Sequence, residues 1–171
     1  MSNATEPAAA PAAAAATDLA LPRITHFYDS ARWQKIPRGA VAALYYDGEF
    51  AAPTAAEDEF LTVRWITVLG DWRNAGIADF ETGNEVYSKP GALLDFVRGR
   101  HSLGLRARVY CNRDTLPKVR QLLAGAEPYL VWIGTLDGNK LTPDWTPGLW
   151  AVQYEGGPDA DWDLSVLYGT W

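Results

Sequence analysis

Apolar and polar positions alternate in short bursts along most of this chain, and turn residues close the bursts. Ile24-Thr25-His26-Phe27-Tyr28-Asp29 reads as a first strand that ends on an acid. Ala40 to Tyr46 is an apolar run closed by the turn dipeptide Asp47-Gly48, which fits a buried strand. Val63 to Leu69 is β-branched and aromatic and stops at Gly70. Gly76-Ile77-Ala78-Asp79-Phe80-Glu81-Thr82-Gly83-Asn84 predicts a strand that runs into a turn. Arg106 to Asn112, Tyr129 to Leu136, Leu149 to Tyr154 and Trp162 to Val166 complete the strand pattern.

Helical spacing shows in only a few places. Thr54 and Glu57 have the spacing of a capping box, which predicts one helical turn there. Ser88 and Pro90 open a helix with Leu93, Phe96 and Val97 on one face, and Gly104 stops it. Asp114 or Thr115 caps a second helix, with Pro117 in its first turn and Leu116, Val119, Leu122 and Leu123 on one face. About eight strands, with helices between strands in the middle of the chain, predict the α/β class and parallel pairing there. The expected architecture is a reduced (β/α)8-type, TIM-like barrel with few helices. A full barrel of that kind takes about 250 residues, and this chain has 171. Residues 1–20 are an Ala/Pro/Thr tract with too little apolar surface to order by burial, which predicts a flexible tail ahead of a barrel domain over 21–171.

Charge narrows the function. The net charge is −6, which argues against a nucleic-acid groove and its basic footprint. No basic amphipathic helix or long apolar stretch points to a membrane, and the tail is a poor secretory signal. The single cysteine, Cys111, excludes an internal disulfide and a multi-cysteine zinc cluster and reads as buried and inert. His26 and His101 are far apart, so no metal site and no cofactor is implied. The 8 Trp and 8 Tyr residues suit either core packing or a sugar-binding cleft.

The candidate chemistry lies in the Ile77–Glu81 strand. Side chains alternate along a strand, so Ile77, Asp79 and Glu81 share one face and Ala78 and Phe80 the other. The two acids are then roughly 6.5–7 Å apart along the strand. Carboxylates at such range, at the C-terminal end of a barrel strand, suit acid–base cleavage of a glycosidic bond. The plainer alternative is an antiparallel strand with Ala78 and Phe80 in the core and both acids in water.

The order of motifs from Asp71 to Gly169 resembles the glycoside hydrolase family 25 lysozymes, N-acetylmuramidases of phages and bacteria. Asp79-Phe80-Glu81 in "IADFETGN" matches the family's Asp-x-Glu; "RVYCNRDTL", "YLVWIGTLDG" and "LWAVQYEGG" are similar to its later strands. Asp163 in "DWDLSVLYG" matches a late aspartate, and Asp29 in "HFYDS" the aspartate of the first strand. Residues 30–70 are shorter than the family's second and third units, and Gly134 stands where the family has alanine. The resemblance implies cleavage of the β-1,4 bond between N-acetylmuramic acid and N-acetylglucosamine in peptidoglycan. It implies Glu81 as general acid, with Asp79 ionised and stabilising the transition state or orienting the 2-acetamido group. Asp29 and Asp163 would support the pair, Tyr110 and Tyr154 would line the cleft, and Trp132 would serve as cleft wall or barrel core. The competing reading is an inactive barrel that binds glycan or serves in a phage particle, with the tail contacting other virion proteins.

Overall fold

The computed structural model describes residues 26–89, 91–126, 128–138, 148–157 and 159–171. The expected tail lies outside them, as does the start of the first predicted strand at Ile24. Eight strands close into a barrel in chain order. They are β1 His26–Asp29, β2 Val41–Tyr45, β3 Thr62–Thr67, β4 Ile77–Asp79, β5 Ala107–Asn112, β6 Tyr129–Gly134, β7 Leu149–Glu155 and β8 Asp163–Leu167. β1 to β7 run parallel to one another, whereas β8 is antiparallel to both β7 and β1.

The barrel is mixed, and helices do not alternate with strands around it, which corrects the (β/α)8-type expectation. The α-helices of the described residues follow only β4 (α1, Glu85–Ser88, and α2, Ala92–Ser102) and β5 (α3, Leu116–Leu122). The connections after β1 and β2 hold only single 3-10 segments, Trp33–Lys35 and Thr54–Glu59. An antiparallel last strand needs no crossover helix, so a short chain can still close the sheet. The capping box at Thr54 does not form: Pro53 is the N-cap, and Thr54 lies inside the turn without a side-chain cap bond.

Alternation along the strands sorts the core into an inner and two outer parts. Phe27, Ile66, Ile77, Tyr110, Trp132 and Trp150 fill the lumen. Outside, Ala78, Phe80, Val109, Cys111 and Ile133 pack beneath Leu93, Phe96 and Val97 of α2 and Leu116 and Val119 of α3. On the other flank Ala42 and Leu44 pack with Ala56 and Phe60 of the 3-10 segment and its exit. Burial of Phe80 and Phe96 stabilises the α2 side by about 1.5–3 kcal/mol each. Phe80 also fixes the chain just past β4. Its N–H donates to the Tyr110 carbonyl at 2.9 Å, so the ladder with β5 continues one residue beyond the strand. Its buried ring meets Tyr87 of α1 at 5.0 Å. With Phe80 pinned outward, Glu81 is delivered to the barrel mouth.

Candidate active site

The C-terminal ends of the parallel strands and the start of β8 converge on one pole, and most of the sequence-predicted acids meet there. Asp29 ends β1 and Asp79 ends β4; Glu81 follows two residues on, and Asp163 opens β8 as the register partner of Asp29. Asp29 is 4% exposed and Asp79 3%, whereas Glu81 and Asp163 are half-buried. None of the ion pairs among the described residues involves any of the four.

Burial without cations pushes all four carboxyls toward the neutral form. Asp79 is pushed up to about 8, first by desolvation and then by the Glu81 charge. Asp29 lies well above the usual carboxylate range, through burial and then through Asp163, Asp79 and Glu81. Glu81 is raised by burial and by Asp163, against a hydrogen bond from the Asn112 amide. Asp163 is raised by burial, while the Gly157 N–H, 2.9 Å from its Oδ1, and the Gln153 amide act the other way. The dry position of Asp79 beside Glu81 thus favours its protonated form until the charge on Glu81 is removed.

Four residues that the sequence reading passed over complete the mouth. The Tyr45 hydroxyl, at the end of β2, donates to Asp79 Oδ2 at 3.3 Å. Its phenol is raised well above its usual value by burial and by Asp79, so it remains a neutral donor. The Asn112 side chain, at the end of β5, donates to Glu81 Oε1 at 3.5 Å, a long contact. Asn84 ties the turn after Glu81 back to the strand by donating to the Asp79 carbonyl at 3.2 Å. Gln153 on β7 completes the set, and its Oε1, Asp29 Oδ1 and Asp79 Oδ1 are buried without a hydrogen-bond partner among the described residues.

Tyr45 and Asn112 were findable by alternation, since each is two residues from an inward side chain on its own strand. Gln153 was not. Val131 pairs with Leu149 but Trp132 pairs with Ala151, so β7 carries one extra residue and its inward face changes parity. This bulge also relocates Tyr154. It packs outside the barrel with Val152 and the helix-side core and meets His26 at 6.4 Å, so it does not line the cleft as expected. Tyr110 does point inward, below the mouth. Its ring meets Trp132 at 4.6 Å, and its hydroxyl sits where Gly134 would otherwise carry a Cβ, 2.5 Å away. Glycine on β6 is thus what lets Tyr110 lie across the barrel. Trp132 is 1% exposed and donates to Ser165 Oγ at 3.0 Å, which makes it lumen core beneath the site rather than cleft wall.

No family model, no curated protein and no solved structure matches this chain. The function must therefore be read from the mouth itself. Among the described residues no group of three His, Cys, Asp or Glu side chains is placed to hold a metal ion. No helix among them is long and apolar enough to cross a membrane. A groove of about 500 Å³ runs beside the mouth between the loop after β2 and the start of α1, lined by Phe50, Leu69, Asn84 and Glu85 among others. The four carboxyls do not line it, so it flanks the acids rather than containing them.

Proposed function

We propose that this protein is a glycoside hydrolase that cleaves the β-1,4 bond between N-acetylmuramic acid and N-acetylglucosamine in peptidoglycan. The barrel would then be a reduced relative of the (β/α)8 type with its last strand reversed. The observation that carries the reading is the Asp79–Glu81 pair: two carboxyls from one strand end, one buried and pushed up to about 8, the other half-exposed beside it. Two close carboxyls of this kind share a proton and titrate as a unit.

Glu81 is the reachable member and stands at the leaving oxygen as general acid. When the shared proton passes from Asp79 to Glu81, Asp79 is left as the carboxylate. The Tyr45 hydroxyl then stabilises the Asp79 carboxylate through the bond it already makes. The ionised Asp79 faces the positive charge that grows on the sugar in an oxocarbenium-like transition state; water then adds to the anomeric carbon in place of the leaving oxygen, and its proton goes to the Glu81 carboxylate. No cation among the described residues pairs with Asp29 or Asp163, so no ion pair at the mouth opposes that same developing charge. No redox or metal step is needed for this chemistry.

The test is release of reducing sugar from purified peptidoglycan by wild type, Glu81→Gln and Asp79→Asn, measured across pH 4–8. Glu81→Gln retains shape and hydrogen bonding but cannot deliver a proton, so turnover should fall by about 10²–10⁴-fold. Glycan binding should survive in the same variant. Equal release by all three proteins, or none by wild type on several bacterial walls, would reject the enzyme and leave an inactive glycan-binding barrel.

A further inference from the structure

The pole opposite the carboxyls carries the reverse charge. Arg64 on β3 and Arg108 on β5 are inward positions, each two residues before an inward lumen residue, Ile66 and Tyr110, and so toward the strand N-termini. Arg100 reaches the same pole from the last turn of α2. One of its guanidinium nitrogens donates to the Trp72 carbonyl at 3.3 Å, and the other lies 3.7 Å from the Cβ position of Gly76, the residue before β4. Arg108 is 6% exposed, and Arg64 and Arg100 are half-buried. Among the described residues the Nε atoms of all three are buried without a hydrogen-bond partner, and no carboxylate forms an ion pair with any of the three.

Aromatic rings neighbour two of these cations. Arg108 lies 4.7 Å from the Trp150 ring centre and Arg64 5.7 Å from that of Trp171, and the two indoles are stacked 5.7 Å apart. Cation–π contact eases the burial of one guanidinium, but it does not offset the mutual repulsion of several. That repulsion is felt: burial, Arg64, Arg100 and Arg106 together pull Arg108 down to about 10. Converging guanidinium forks match the oxygens of a tetrahedral oxyanion, and more than one of them suits a dianion better than a single carboxylate.

We propose that the N-terminal pole of the barrel is a binding site for a phosphate-class oxyanion, held by Arg64, Arg100 and Arg108 beside the Trp150–Trp171 pair. It is separate from the acidic mouth, and it would hold either free phosphate or a phosphate group presented on a larger molecule.

The experiment titrates the full chain with inorganic phosphate, and in parallel with glycerol phosphate, at ionic strength held constant with sodium chloride. Tryptophan fluorescence and melting temperature are the readouts. Both should change saturably for wild type, because Trp150 and Trp171 adjoin the site. Tighter binding of the ester would mark a phosphate carried by a larger molecule, and equal or tighter binding of the free ion would mark phosphate itself. Arg64→Leu and Arg100→Leu remove partly exposed cations that the fold tolerates losing more readily than Arg108. Each should weaken binding about tenfold or more, the worth of a charge-assisted hydrogen bond. Responses that match those to chloride alone, or wild-type phosphate binding in both variants, would overturn the proposal. The readout is binding and not turnover, so the result is independent of the glycosidase reading.

Discussion

Asp29 and Asp163 face each other across the antiparallel seam that closes the barrel. Like charges directly opposite on neighbouring strands repel, and here the barrel wall also strips them of water. Burial and then Asp163 raise Asp29, the more buried partner, well above the usual carboxylate range, while the Gly157 N–H partly offsets the rise that burial causes at Asp163. The seam is destabilising whenever both acids ionise, and burial of the pair resists that.

Stability should therefore fall as pH rises. Asp29, Asp79, Glu81 and Asp163 all have folded-state pKa values above their unfolded ones, so the folded chain binds more protons between the two sets of values. The slope of stability with pH is then negative from the ordinary carboxylate range up to about 8, where Asp79 titrates. Denaturant melts should show a more stable protein at pH 5 than at pH 8. Asp29→Asn should raise stability at pH 8 by about 1–3 kcal/mol and change it little near pH 4. A flat pH profile would contradict this.

Tyr45→Phe removes the hydroxyl that donates to Asp79 and leaves the ring against Phe50. That hydrogen bond lowers the Asp79 pKa, so its loss raises it further. The acidic limb of the pH–rate curve should move to higher pH, and kcat/KM should drop by about ten- to a hundredfold, as for one hydrogen bond to a charged group. An unmoved limb would mean that Asp79 does not act as an ion in the reaction.

Gly156→Ala should be among the most damaging small changes in the chain. A Cβ there would lie 1.7 Å from Asp163 Oδ1 and 3.0 Å from its Cα, at a φ of +135° that other residues rarely adopt. Loss of roughly 2–4 kcal/mol is expected from strain and displacement together, read by urea denaturation. Gly39→Ala is the control. It also has positive φ but meets nothing within 4 Å, so it should cost only about 1–2 kcal/mol.

Cys111 should not react with thiol reagents while the barrel is folded. It is fully buried on the outer face of β5, and burial pushes its thiol up to about 12, so little thiolate is present near neutral pH. Its labelling rate should follow global unfolding as denaturant is added. Fast labelling in native buffer would show that the α3 side opens locally.

The sequence by itself determined the elements and the faces of most of them. Period-two alternation placed Ile77 and Asp79 inward and Phe80 outward, and helical spacing placed Leu93, Phe96 and Val97 on the strand that carries the acids. These are local consequences of side-chain direction, and neighbouring residues suffice to read them. The tertiary structure alone decided three things. Closure brings β1 against β8 and β4 across the lumen, so acids far apart in the chain raise one another's pKa values. The reversal of β8 makes the sheet mixed, and nothing in its few residues encodes direction. The extra residue in β7 turns Gln153 in and Tyr154 out, because a bulge depends on the partner strand's register and not on the pattern within the strand. Strand direction, register and the Coulomb interaction of distant groups are all properties of pairs of segments, which a pattern read along one segment does not contain.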